Sequence, residues 1–269
     1  MTAPRAGPTC DGLVCDLDGV VYRGDTPIPG AADALRIVRA EGVGVVFCTN
    51  NSAHTVEHYR ARLRRHGIDA DPNEIVTSAV VCGEVLEARG LAGARALVIG
   101  GAGLLQSVSD AGLVVPDDPD PSTIDVVTVG LDEAFDYNAL RRAALALHAG
   151  AELIATNDDA TYPAPGGLEW PGAGAILAAV EVASGGRAEV MGKPHPPMMD
   201  AVARRLADAR RIAIVGDRPE TDLRGGADQG WTTVLVLSGV TTAAQAPAAE
   251  PRPDVVLDSL SDLPQWLLG

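Results

Sequence analysis

The sequence predicts an α/β protein: a doubly wound, Rossmann-like parallel sheet carrying an inserted α/β cap domain. Three observations lead there. Short apolar runs alternate with helix-period segments over most of the 269 residues, the pattern of repeated βα units. The middle of the chain repeats that alternation on its own, and the length accommodates one domain inserted in another. Several apolar runs also end in Asp or Thr, where a parallel sheet presents its strand ends to a ligand.

In chain order, "GLVCD" reads as a strand and "AADALRIVRAEG" as a helix closed by Gly42. "VGVVFCTN" is the next strand, followed by a helix in "SAHTVEHYRARLRRHG", with Ser52 as the expected cap and Gly67 as the stop. The strands "RALVIGG", "IDVVTVG" and "AELIATN" come next, with helices expected around 103 to 111 and 137 to 149. Between them "VVPDDPDPSTID" is a loop rich in Pro and Asp. "PPMMDAVARRLADA" is a helix with Met198, Met199, Val202 and Leu206 at core spacing. The strand "RIAIVGD" runs into the helical "RPETDLRGGADQG", and "TTVLVL" is another buried strand. The polar loop "TTAAQAPAAEPRPD" precedes the last strand, "VVLDS". The insert is expected over 80–187, leaving 1–79 plus 188–269 as the core domain.

Composition narrows the function. A net charge of -15 repels nucleic-acid backbones and anionic bilayers, so any attraction to an anionic ligand must be local. "MTAPRAGPTCDG" lacks the apolar run of a signal peptide, and no uninterrupted apolar run is long enough to span a bilayer, so the expected location is cytoplasmic. Cys10, Cys15, Cys48 and Cys82 have no C-x-x-C spacing and read as small buried hydrophobes.

The chemistry collects at the expected strand ends. Asp16 and Asp18 follow the first strand, Thr49 ends the second, and Asp217 and Asp222 stand in and after the "GDRPETD" turn. Carboxylates gathered in one crevice repel one another, and an all-oxygen set suits Mg²⁺. Lys193, in "VMGKPHPPMM", is the one lysine among 21 basic side chains. A compact ammonium can touch a carboxylate and a phosphoryl oxygen together, whereas a planar guanidinium is bulkier and wants a bidentate partner.

"DLDGVVYRG", "TNNS", "GKPHP" and "GDRPETD", in that order, resemble the four motifs of the haloacid dehalogenase-like phosphatases. The resemblance is strongest to the class IIA branch of p-nitrophenyl and sugar phosphatase-like proteins, whose cap "ATNDDATYP" and "PGAGAI" also resemble. It implies that Asp16 attacks phosphorus and Asp18 acts as general acid and then base. Mg²⁺ would be held by Asp16, the Asp18 carbonyl, Asp217 and Asp222, and phosphoryl oxygens by Thr49, Asn50, Asn51 and Lys193. Asn157, Asp159 and Thr161 would line the substrate entrance. The chain departs from the pattern at Asp158, where relatives usually have proline, and "GGLEWPG" is one residue longer than the commonest form. The expected substrate is a small phosphorylated metabolite, among them glycerol phosphate, phosphoglycolate, sugar phosphates and nucleoside monophosphates. The resemblance also implies a homodimer through the cap.

Four other readings compete. A phosphomutase shares Asp16 and Asp18, and a phospho-receiver switch shares clustered aspartates, a threonine and a lysine, without using a cap of about a hundred residues. "HTVEH" matches H-x-x-E-H, a zinc pattern through His54, Glu57 and His58. It opens the helix of a βα unit, with no matching glutamate on a downstream helix. "VIGGAGLLQ" has the look of a dinucleotide turn but places Gln106 where the third small residue belongs, so it reads as a tight turn in the cap.

Overall fold

The structure is a computed structural model that describes residues 9–164 and 168–269. The first eight residues of "MTAPRAGPTCDG" and the two glycines opening "GGLEWPG" lie outside the described residues. Two compact units are formed, one from the chain up to Cys48, Arg60–Val76 and Met199–Gly269, the other from Thr49–Tyr59 and Thr77–Met198.

In the first unit, strands β1 (Gly12–Cys15), β4 (Gly44–Thr49), β5 (Ile75–Thr77), β12 (Ile212–Gly216), β13 (Thr232–Val236) and β14 (Val255–Leu257) form one sheet. Its order is β14-β13-β12-β1-β4-β5. Pairing is parallel from β14 through to β4, with Cys15 in register with Val215 on one side and Phe47 on the other. A parallel sheet is covered on both faces, which explains why "GLVC" is apolar without alternation and buried throughout. Helix α1 (Ala31–Ala40) turns Ala31, Ala34, Leu35 and Val38 inward at helical spacing. Burial of Leu35 and Val38 contributes about 1.5–3 kcal/mol each. Gly42 and Gly67, at φ +81° and +80°, terminate α1 and helix α2 (Val56–Arg65) in the left-handed region that favours glycine. A short hairpin of β2 (Tyr22–Arg23) and β3 (Thr26–Pro27) and the helices α7 (Pro196–Arg205), α8 (Arg224–Asp228) and α9 (Leu263–Leu268) complete this part of the chain. In and after α7, Met198, Met199, Val202 and Leu206 are all buried, as their spacing predicts.

The second unit has its own four-stranded parallel sheet of β6 (Ala96–Ile99), β7 (Val126–Val129), β8 (Glu152–Ala155) and β11 (Glu189–Val190), in the order β11-β8-β7-β6. Helices α3 (Ser78–Ala88), α4 (Ala102–Asp110), α5 (Tyr137–His148) and α6 (Ala173–Ser184) accompany it. Strands β9 (Thr161–Ala164) and β10 (Leu168–Pro171) pair antiparallel. Its core joins Val127, Val129, Leu153 and Ala155 of the sheet to Ala143, Ala146, Ile176, Leu177 and Val180 of α5 and α6. Thr77 and Asp136 cap α3 and α5 by accepting the amides of Val80 and Ala139, each worth about 1 kcal/mol.

One local expectation needs correction. Ser52 does not cap α2, because that helix starts at Val56, where Thr55 Oγ1 accepts the amide of His58. The buried Ser52 hydroxyl instead accepts from Thr156. Helix α6 and the β9–β10 hairpin are elements beyond those assigned from the sequence pattern. "VIGGAGLLQ" does hold a tight turn, and its glycines serve close packing: a Cβ on Gly101 or Gly103 would lie 2.5 Å from the Ala53 carbonyl oxygen or 2.2 Å from that of His54.

All four cysteines are free and buried, and burial pushes the Cys10 thiol up to about 11 and the Cys82 thiol up to about 12. Among the described residues, no helix is long and apolar enough to cross a membrane.

Candidate active site

Strand order in the first sheet reverses direction at β1: the chain winds outward through β4 and β5 on one side and through β12, β13 and β14 on the other. Parallel sheets open a crevice for ligands at such a reversal, beyond the carboxyl ends of the strands. Asp16 directly follows β1 and Asp217 directly follows β12. Asp222 is returned to the same place by a single wide π-type turn, Pro219–Leu223. The carboxylates of Asp16, Asp217 and Asp222 are all buried and offer oxygens within 4.8 Å of one another.

Backbone packing fixes this arrangement. Oδ2 of Asp222 accepts the amides of Asp217 (3.1 Å) and Arg218 (3.0 Å), and Gly216 has no room for a side chain because its Cβ would lie 2.2 Å from that of Asp222. Oδ2 of Asp217 accepts the Val240 amide at 2.6 Å, and the Asp217 carbonyl accepts from Thr241 Oγ1 at 2.6 Å. Ser238 Oγ donates to the Gly19 carbonyl at 2.7 Å. A Cβ on Gly19 would lie 2.3 Å from Asp217 Oδ2, and one on Gly239 only 1.9 Å from it. The loop "SGVTT" after β13 therefore helps to hold Asp217, a role that sequence reasoning missed. The signal was there: a small residue flanked by hydroxyls, just past the end of a strand of the same sheet.

Asp18 stands outside the group of three. It is half-buried in the turn after β1, bridged to Tyr22, where Gly19 donates to the Tyr22 carbonyl. That turn gives the Asp18 carboxylate a different environment from that of Asp16.

A second cluster lies within the second unit. The Asn50 side chain brackets the Lys193 peptide: Oδ1 accepts its N–H at 2.7 Å and Nδ2 donates to its carbonyl at 3.0 Å. Nδ2 also donates to Asp159 Oδ2 at 3.0 Å. The Asn50 carbonyl accepts from Asn157 Nδ2 at 2.8 Å and from the Ser78 hydroxyl at 2.5 Å. Asn157 Oδ1 accepts the Asp159 amide. Lys193 is 3% exposed, and a buried ammonium is tolerated only in anionic or strongly polar company. His195, two residues on, meets Asp158 Oδ2 through Nε2 at 3.1 Å. The Asp158 hydrogen bond holds the His195 imidazole above its ordinary range against the opposing effect of burial, and the same bond holds the Asp158 carboxyl below its own.

Thr49, buried, is the last residue of β4, and its Oγ1 accepts the Asn51 amide. Asn51 Oδ1 in turn accepts from Ala53, so residues 49–53 form an Asx-turned loop and the helix start expected beside Asn50 comes only at Val56. Thr161 opens β9 and is half-buried. His54 precedes α2, so it and His58 do not share a helical face; their rings stack at 4.1 Å.

The donor set of the first unit suits a hard divalent cation. Three buried carboxylate oxygens so close together repel by at least about 3 kcal/mol per pair at an effective dielectric constant of about 20. A cation converts that repulsion into attraction, and an all-oxygen set matches Mg²⁺ or Ca²⁺ in preference to softer metals.

Comparison with known proteins agrees with this architecture. Residues 13–114 match the family described as haloacid dehalogenase-like hydrolase, and residues 190–263 match a second, HAD-hydrolase-like family. An acid sugar phosphatase of Staphylococcus aureus is 37% identical over 228 residues, 84% of this chain and 86% of the relative. A 4-nitrophenylphosphatase from Thermotoga maritima superimposes with a TM-score of 0.87 at 32% identity, over 95% of this chain and 96% of that one. A glycerol phosphate phosphatase from Mycobacterium tuberculosis, solved in complex with magnesium, gives 0.84 at 35% identity, over 96% of this chain and 78% of the other. With the four motifs, the reversed sheet and its acidic triad all in place, the chain belongs to the haloacid dehalogenase-like hydrolases.

Proposed function

We propose that this chain is a magnesium-dependent phosphatase of small phosphate monoesters that works through an aspartyl phosphate on Asp16. The observation that carries the reading is the buried carboxylate group of Asp16, Asp217 and Asp222 at the reversal of the sheet. The phosphatase names of its relatives support the reaction class, a phosphoric monoester hydrolase.

Asp16, Asp217, Asp222 and the Asp18 carbonyl would hold the ion; because Oδ2 of Asp222 already accepts two amides, Asp222 acts through its other oxygen or through water. When bound, Mg²⁺ supplies positive charge against the phosphoryl oxygens. A carboxylate oxygen of Asp16 attacks phosphorus, the bond to the leaving oxygen breaks, and Asp18 gives that oxygen a proton. Water then attacks the phosphorus of the aspartyl phosphate, Asp18 takes its proton, and the bond to Asp16 breaks to release inorganic phosphate. Thr49 Oγ1 and the backbone amide of Asn50 donate to phosphoryl oxygens, Asn51, whose own amide goes to Thr49 Oγ1, binds beside them, and Lys193 neutralises the remaining charge. Asp159 and Thr161 are the proposed contacts to the leaving group, with Asn157, engaged through both ends of its carboxamide, setting the position of Asp159.

A cap over 80–187 that shields the reaction favours small substrates over macromolecules. Glycerol phosphate and sugar phosphates lead the candidates, since relatives carry those names; phosphoglycolate and nucleoside monophosphates complete the set. A cytoplasmic setting, in keeping with four free thiols, and a homodimer through the cap belong to the same proposal. The test is phosphate release from a metabolite panel with Mg²⁺, with and without chelator, for the wild type and Asp16→Asn. Metal-dependent release in the wild type and none in the variant is expected. Release that needs a bisphosphate activator, or isomerisation without net release, would turn the assignment toward a mutase. No chemistry on any monoester would leave a phospho-receiver.

A further inference from the structure

The turn that carries Lys193 is held at both shoulders. On one side the Asn50 carboxamide grips the Lys193 peptide, and Gly192 sits so close that a Cβ there would lie 2.7 Å from both Asn50 Oδ1 and the Thr156 carbonyl oxygen. On the other side the His195 amide closes the turn onto the Gly192 carbonyl at 2.9 Å, and the His195 ring reaches Asp158 Oδ2 at 3.1 Å. The two joined loops leave the ends of adjacent parallel strands, β8 and β11, with Val190 in register with Ala155. Nothing in the phosphatase chemistry proposed above uses His195 or Asp158.

We propose that His195 and Asp158 form a protonation-dependent clasp that fixes the Lys193 turn to the 156–159 loop, making both positioning residues for the Lys193 ammonium. The inference rests on the proposed role of Lys193 in phosphoryl transfer. The inner contacts are buried, with Asn50, Asn157 and Lys193 at 9%, 4% and 3% exposure. The clasp is the outer contact, with side chains 35% and 46% exposed, so solvent protons reach it. The charged groups facing the ring are Asp158 and Asp159, both favouring the imidazolium, and the ring sits two residues from Lys193. The charge-assisted bond is therefore present below the raised His195 pKa, while Asp158 stays ionised, and is weakened to a neutral hydrogen bond as pH rises through that pKa.

The experiment compares the full chain with His195→Ala, His195→Gln, Asp158→Asn and the His195→Ala/Asp158→Asn double variant, with Mg²⁺ and p-nitrophenyl phosphate, across about pH 5 to about pH 9. A partly exposed pair predicts that His195→Ala and Asp158→Asn each lower kcat about two- to fivefold below neutrality, with KM little changed. The deficit should shrink toward the alkaline end to what loss of a neutral hydrogen bond costs, and the double variant should be no worse than either single one. His195→Gln, which keeps a donor but not a charge, should fall between, with a wild-type to variant ratio that depends less on pH. Imidazole NMR resolves five histidines, and the resonance lost in His195→Ala should titrate lower in Asp158→Asn than in the wild type. A wild-type to His195→Ala ratio that is constant with pH, additive losses, or an unshifted imidazole titration each overturns the clasp. Lys193→Met separates the two claims: if it turns over normally the role of Lys193 is wrong, whereas if it is inactive while the His195 and Asp158 variants are normal, only the clasp is wrong.

Discussion

Asn50 holds Lys193 by its peptide group, with the carboxamide oxygen taking the lysine N–H at 2.7 Å and the carboxamide nitrogen giving a hydrogen to the lysine carbonyl at 3.0 Å. A single side chain thus satisfies both backbone polar groups of a residue that is almost wholly buried. The ammonium at the far end of that residue is placed by this grip on its backbone.

The two ends of the Asn50 amide are therefore not interchangeable. Asn50→Ala leaves a buried donor and acceptor unsatisfied, at about 1–3 kcal/mol each. Asn50→Asp keeps an acceptor for the Lys193 amide but turns a carboxylate oxygen toward the Lys193 carbonyl and the Asp159 carboxylate. The near-isosteric aspartate is expected to unfold at lower urea concentration than the alanine variant. The reverse order, measured by circular dichroism at neutral pH, would show that cavity volume matters more than polar satisfaction.

The acidic group is equally sensitive to its backbone neighbours. A methyl group on Gly239 would overlap Asp217 Oδ2, and neither Oδ2 nor the backbone of the 238–241 loop can yield without breaking the Val240 and Thr241 bonds. Gly239→Ala is expected to fold, to raise the Mg²⁺ concentration for half-maximal activity at least about tenfold, and to abolish the Mg²⁺-dependent rise in Tm. An unchanged thermal response to Mg²⁺ would mean that Asp217 is not held for the ion.

Much of this was legible in the sequence because it depends on periodicity and on strand ends. "GLVCD" and "RIAIVGD" each combine a buried strand with the carboxylate that follows it, so Asp16 and Asp217 could be expected at one sheet edge before their partners were known. Asp222 was legible only as a residue of the next turn; its place depends on a π-type turn that no propensity encodes. The roles of Asn50, Ser52 and Ser78 were not legible, since each bonds a residue 28 or more positions away. Local preference suggested a helix cap for Ser52, and tertiary pairing with Thr156 won. The departure at Asp158 was visible as an anomaly, but its partner, His195, lies 37 residues on and only the fold joins them.

Lys193→Arg tests why one lysine survives among 20 arginines. The guanidinium is larger and planar, and a site that encloses the side chain to 3% exposure leaves little room for it. Turnover of p-nitrophenyl phosphate is expected to fall at least about a hundredfold, with the fold unchanged by circular dichroism. Near-normal turnover would mean that neither the size nor the planarity of the cation accounts for the lone lysine.

His66 gives the first unit an acid-sensitive point. It follows α2 with its ring 5.6 Å from that of Tyr22, over which the Arg62 guanidinium lies at 3.9 Å, and its Nε2 is buried without a hydrogen-bond partner. Burial, then the charges of Arg62 and Arg65, hold its pKa below the ordinary imidazole value, against a weaker opposite pull from Asp25. An unfolded chain protonates this histidine near its ordinary pKa while the folded chain still resists. The stabilisation is therefore present above that value and is lost as pH falls toward the folded pKa. His195 has a raised pKa and contributes in the opposite direction, so the wild-type curve alone mixes the two. His66→Phe keeps an aromatic ring beside Tyr22 and cannot titrate. The urea midpoint of the wild type relative to His66→Phe is expected to decline from about pH 7.5 to about pH 5, above the range where carboxylates dominate. A difference that stays flat across that window would mean that His66 takes up its proton equally in the folded and unfolded chains.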